Sequence, residues 1–97
     1  MDITELQREV NEFVREMGWY DEGSPHPQTP RNLAISLTLE AAEVLEHFQW
    51  SDDFDRDEVA LELADVFHYV LQLSAILGVD LEQAVMTKLA QNRGRRW

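Results

Sequence analysis

The 97-residue sequence contains no cysteine. Disulfides, thiolate nucleophiles and cysteine-based zinc sites are therefore excluded. Cations are scarce: Lys and Arg number 8 against 19 Asp and Glu, a formal net charge of -11. Such an excess of negative charge opposes binding to a phosphate backbone or an anionic membrane. No GxGxxG or GxxxxGK[ST] motif is present, so no dinucleotide fold or P-loop is expected. No stretch alternates apolar and polar residues as a strand would. The apolar runs are interrupted by Glu or Asp, so no membrane span is expected. The N-terminus, MDITELQREV, lacks the basic start and apolar centre of a signal peptide. A cytoplasmic location is the expectation. The length suits a single domain, residues 1–97.

What is present is helical periodicity. Ile3, Leu6, Val10, Phe13 and Met17 recur at three- and four-residue steps, with Asp2 placed to cap the helix and Gly18 to end it. Residues 18–29 hold two Gly and two Pro and no period, so they form a loop. It carries Trp19, Tyr20 and His26. Thr29 and Pro30 suit the N-cap and first turn of a second helix expected to reach about Trp50. Asp55 with Glu58, and Asp80 with Gln83, open two further helices. These are expected to end at Gly78 and at about Arg93. The sum is an all-α chain, an antiparallel four-helix bundle. Phe13, Phe48 and Phe67 fall on its apolar stripes and are expected in the core.

Four carboxylates break the pattern. Glu40 and Glu43 interrupt LAISLTLEAAEVLEHF, a run apolar nearly all round and expected to be buried on most sides. Glu62 and Asp65 interrupt VALELADVFHYVLQL in the same way. Residues three apart share a helix face. Between Arg31 and Lys88 the only cation is Arg56. Unpaired carboxylates among Leu, Val and Phe are costly. Protonation or a bound cation resolves the conflict. Facing carboxylates offer hard oxygen ligands, which suit Mg²⁺ or Mn²⁺. Such an ion bridges carboxylates to the phosphates of an anionic substrate.

The remaining candidates are weaker. Lys88 and Asn92 share a helix face, and Arg93, Arg95 and Arg96 follow. They match either favourable cation placement at a helix C-terminus or a phosphate clamp. Trp19 and Trp50 at helix ends, and Tyr69 one turn after Asp65, suit either packing or stacking on a base. His47 and His68 are expected to be structural or to line a polar site. Asp65 with His68 gives half of the Glu-x-x-His pattern of di-iron bundles, and a second half is missing.

Taken together, Glu40-Ala-Ala-Glu43, eighteen further residues, Glu62-Leu-Ala-Asp65 and Lys88-x-x-x-Asn92 resemble the ExxE…ExxD…KxxxN signature of MazG-type nucleoside triphosphate pyrophosphohydrolases. TPRNL from Thr29, and EAAEVLEHFQW ending at Trp50, resemble the dCTP pyrophosphatase branch. The resemblance covers about residues 3–95 of the chain. It implies a Mg²⁺-dependent, oligomeric enzyme, a homodimer or homotetramer. Its reaction would cleave a (d)NTP, with dCTP or a related pyrimidine nucleotide first in line, to (d)NMP and pyrophosphate. The implied role is cleaning of the nucleotide pool. On the same basis Glu40, Glu43, Glu62 and Asp65 bind metal and serve catalysis, one glutamate acting as base. Lys88, Asn92 and Arg95 hold phosphates, and Trp19, Trp50 and Tyr69 build the base and sugar pocket. The chain departs from the family at Ala41 and Ala42 and in ending Arg-Arg-Trp97. A non-catalytic nucleotide- or metal-binding module and a di-iron or di-manganese carboxylate protein are the rival readings.

Overall fold

A computed structural model describes residues 1–96. Trp97, where the tail departs from the family pattern, lies outside them. The described residues form four helices and no strand: α1 (Ile3–Glu16), α2 (Pro30–Glu46), α3 (Arg56–Ile76) and α4 (Leu81–Arg93).

Each helix begins where a short oxygen-bearing side chain can cap it. Asp2 accepts from the Glu5 amide, Thr29 from Asn32, Asp55 from Asp57 and Glu58, and Asp80 from Gln83. These bonds satisfy amides that the first helical turn leaves without a partner. Gly18 and Gly78 supply the left-handed turns after α1 and α3, with φ of 75° and 68°. Around Gly78 the Val79 amide reaches back to the Ser74 carbonyl at 2.8 Å.

α2 ends earlier than the sequence suggested. From His47 the chain tightens into a turn in which the amides of His47, Phe48 and Gln49 reach back only three residues. Phe48 closes this turn on Phe54, ring centroids 5.2 Å apart. Trp50 is left at the tip, 89% exposed.

α3 is the central element, with α2 packed along it and α1 against it. Val14, Leu33, Leu71 and Gln72 are the largest fully buried side chains. Gln7 ties α1 to α3 by donating to the Ser74 hydroxyl at 2.8 Å and to the Leu71 carbonyl at 3.3 Å. α4 has no comparable packing on the other helices. The radius of gyration is 15.7 Å. A compact chain of this length should have about 12–13 Å.

The core is consequently small. Phe13, Phe48 and Phe67, expected inside, are 45%, 38% and 40% exposed. α2 is not buried on most sides: Leu39 and Leu45 stand open, as do Leu61 and Leu63 of α3. One helix lying along another covers only one stripe of each, and no neighbour covers the rest. By length and composition alone α3 would suffice to cross a membrane, with a mean hydropathy of 1.4 over its most apolar window, a measure that the core helix of a soluble protein also meets. It carries Glu62 and Asp65 and packs against α1 and α2.

Candidate metal centre and aromatic cleft

The i, i+3 spacing on α2 and α3 places the acidic residues where the two helices meet. Residues late on α2 meet residues early on α3, so Glu40 comes level with Glu62 and Asp65. One carboxylate oxygen from each of these three lies within 4.8 Å of the others. Glu40 and Glu62 are half-buried, and Asp65 is exposed. Glu43, one turn on from Glu40, is exposed, and its carboxyl is close enough to raise the pKa of Glu40.

Glu40 carries the electrostatic conflict. Its Oε2 is buried without a hydrogen-bond partner. Burial, then Glu43, with further contributions from Asp65 and Glu62, pushes its carboxyl up to about 7. No Lys or Arg forms an ion pair with the cluster among the described residues. The one described side chain at ion-pair distance is His47, whose Nε2 lies 3.5 Å from Glu62 Oε1. An orphaned buried oxygen among converging carboxylates fits a hard divalent cation. Glu40, Glu62 and Asp65 can reach one ion together, and Glu43 stands beside them.

A second feature lies where the α1–α2 loop meets α3. Trp19, His26, Gln28, Ser36 and Tyr69 line a cleft of about 240 Å³. Trp19 meets Phe13 edge-on at 5.7 Å, and Phe13 and Tyr69 both pack edge-on to His68. Burial depresses the His68 pKa, so the ring is kept neutral. Trp19 and Tyr69 are thus brought together as expected.

The other expected site residues are not. Trp50 stands at the tip of the α2–α3 turn, away from the cleft lining. Lys88 faces a groove built from α4 and Asp80. Asn92 is half-buried with its Oδ1 unpartnered. No described bond links Lys88 or Asn92 to the acidic cluster, and Arg95 lies exposed beyond α4. Sequence reasoning passed over Gln28, Ser36 and Gln72. Gln72 left a signal, a lone amide inside YVLQLSAIL. Gln28 and Ser36 left none, because a loop residue and a small helical serine have no periodic pattern to violate.

Residues 35–96 match the MazG-like family. The chain is 35% identical to dCTP pyrophosphatase 1 of Mus musculus over 96% of its own length, and spans 58% of the length of that relative. It is 43% identical to the dATP/dGTP diphosphohydrolase of cyanophage S-2L, over 98% of this chain and 77% of the phage protein. A cyanophage S-2L MazG-like pyrophosphohydrolase, solved with dGDP and three catalytic Mn²⁺ ions per active site, superposes with a TM-score of 0.73 at 31% identity. That match covers 100% of this chain and 83% of the other. With the family matched over most of its length and a close relative matched over nearly all of it, this chain belongs to the MazG-like family.

Proposed function

We propose that this chain hydrolyses a nucleoside triphosphate to the monophosphate and pyrophosphate, using a divalent cation held by Glu40, Glu43, Glu62 and Asp65. The observation that carries the reading is the unpartnered, buried Oε2 of Glu40 beside the carboxylates of Glu62 and Asp65. The relatives add support, since those named act on deoxynucleoside triphosphates.

Mg²⁺ is the proposed cation, with Mn²⁺ as a substitute. When bound, the cation supplies Lewis-acid polarisation of phosphate oxygens and a more acidic water. The carboxylates themselves fix its position, and one of the glutamates accepts the proton of the attacking water. dCTP or a related pyrimidine nucleotide is the proposed substrate. Its base enters the cleft of Trp19 and Tyr69, from which Trp50 stands apart within one chain.

Lys88, Asn92 and Arg95 take the phosphates. Within one chain α4 stands off from the acidic cluster, so a second copy brings these groups to the site. The exposed faces holding Leu39, Leu45, Leu61 and Leu63 are the surfaces such a copy would cover. The assembled unit is then a homodimer or homotetramer in which an antiparallel four-helix bundle is completed. The proposed setting is one domain, residues 1–97, acting on the cytoplasmic nucleotide pool.

The test is incubation with each common nucleoside triphosphate and Mg²⁺, with and without EDTA, followed by ion-exchange separation. Monophosphate plus pyrophosphate, lost in EDTA, is the expected outcome. Diphosphate plus phosphate would overturn the reaction while leaving the site. Nucleotide-dependent thermal stabilisation without turnover would leave a binding module instead.

A further inference from the structure

Gln72 is fully buried in the middle of α3, a polar amide inside the apolar run YVLQLSAIL. An amide in such a place is costly unless its polar atoms find partners, a cost that Leu or Met would not carry. Its Oε1 faces Nε2 of His68, one turn earlier on the same helix, at 3.1 Å. That contact pins the amide and leaves its nitrogen aimed at the α1–α2 loop, where Nε2 donates to Gln28 Oε1 at 2.7 Å. Gln28 is tied into the loop in turn, its Nε2 donating to the His26 carbonyl at 2.6 Å.

The other end of the loop comes to the same amide. The Tyr20 hydroxyl donates to Asn11 Oδ1 of α1. Burial raises the Tyr20 pKa, and the nearby amide of Gln72 acts against the rise. Positions 20 and 28 of the loop thus converge on one side chain of α3. A long connection of this kind is ordinarily the mobile part of a small domain. Here it supplies one wall of the cleft: Trp19, His26 and Gln28 stand on the loop, opposite Ser36 of α2 and Tyr69 of α3. The cleft exists only while the loop lies on α3.

We propose that Gln72 is a positioning residue that, by holding Gln28, keeps the α1–α2 loop seated on α3, so that the cleft is formed before a ligand arrives. When the loop lifts, a buried amide loses its partner, which opposes lifting more than the loss of an apolar contact would. The bearing of this on hydrolysis rests on the nucleotide reading above, and the seating of the loop does not.

The test is digestion by chymotrypsin in EDTA without nucleotide, with cleavage after Trp19 and Tyr20 followed by mass spectrometry. Both side chains are half-buried, and cleavage follows the population in which the loop is lifted. The proteins compared are the wild type, Gln72→Met, Gln28→Met and the double variant. Met keeps the volume of Gln and removes its amide. Each single variant should be cut about tenfold faster, the worth of one buried hydrogen bond. In Gln28→Met the Gln72 amide is stranded, whereas in the double variant Met faces Met. The double variant should therefore be cut no faster than Gln28→Met, where two independent defects would give about a hundredfold. Unchanged rates in the single variants, or a hundredfold rise in the double, overturn the proposal. If Gln72→Met loses its helical circular dichroism, the rate in Gln28→Met alone decides.

Turnover supplies a readout that a merely structural residue would not move. In Gln72→Met, KM should rise for all nucleotides alike, by at most the factor seen in cleavage, with kcat unchanged, because substrate must first seat the loop. An unchanged KM beside faster cleavage, or a fall in kcat alone, removes the positioning role. If the wild type hydrolyses nothing, the proposed reaction falls, and the cleavage rates still decide whether Gln72 seats the loop.

Discussion

His47 Nε2 lies 3.5 Å from Glu62 Oε1, joining the C-cap of α2 to the acidic face of α3. The distance is long for a hydrogen bond, so the contact orients the carboxylate more than it binds it. A group that orients a metal ligand typically changes affinity by about 10–100-fold when removed. His47→Ala is expected to weaken Mn²⁺ binding by about tenfold, at the low end of that range, because the contact is long. Its effect on thermal stability should stay within about 1 kcal/mol, as for other partly exposed pairs. Calorimetric titration of Mn²⁺ into both proteins measures the first, and unchanged affinity would show the contact to be incidental.

Hydrolysis should depend on each carboxylate of the cluster. Glu40→Gln, Glu62→Gln and Asp65→Asn keep shape and remove charge. Each is expected to lower turnover by at least about 100-fold, equivalent to about 2.7 kcal/mol of lost transition-state stabilisation. Product separation by ion exchange gives the rates. Full activity in Glu62→Gln would remove that residue from the site.

The metal-free protein should lose stability as pH rises towards neutrality. Glu40 titrates near 4.5 when unfolded and at about 7 when folded. Between those values the folded state holds more protons than the unfolded one. The stabilising contribution is therefore complete below the lower value and disappears as pH rises through the upper one. Thermal unfolding in EDTA from pH 4.5 to 8 should show a falling Tm in the wild type and a weaker fall in Glu40→Gln. Mg²⁺ or Mn²⁺ at pH 8 should restore Tm in the wild type alone.

Burial separates residues that hold the single chain from residues that hold an assembly. Leu33 is 1% exposed, and Leu33→Ala should cost about 2–5 kcal/mol of unfolding free energy. Leu61 is 65% exposed, so Leu61→Glu should do little to the helices. Its expected effect is a shift of sedimenting mass towards the monomer. A wild type that already sediments as a monomer would refute the second-copy reading.

The parts of this fold that are legible in the sequence are the local ones. Asp2, Thr29, Asp55 and Asp80 all cap helices as read, because a cap needs only a short side chain and the amides two or three residues on. Glu40, Glu62 and Asp65 converge because their spacing already placed the carboxylates on shared helix faces. The end of α2 was not legible, since no Gly or Pro marks the tightening at His47. Nor was the pairing of Gln28 with Gln72, 44 residues apart, which only the packing of the loop on α3 creates. Phe13, Phe48 and Phe67 were misplaced for a related reason. An apolar stripe shows that a face wants cover, and says nothing about which chain supplies it.

The separation of α4 from the other helices also bears on how the protein folds. Contacts within α1, α2 and α3 can form inside one chain, at rates independent of concentration. The proposed docking of α4 against a second copy requires two chains to meet. Refolding should therefore show a fast helical phase with a concentration-independent rate, followed by a slower phase that accelerates with protein concentration. At high dilution the second phase should stall, leaving a helical chain that has yet to recover its hydrolytic activity.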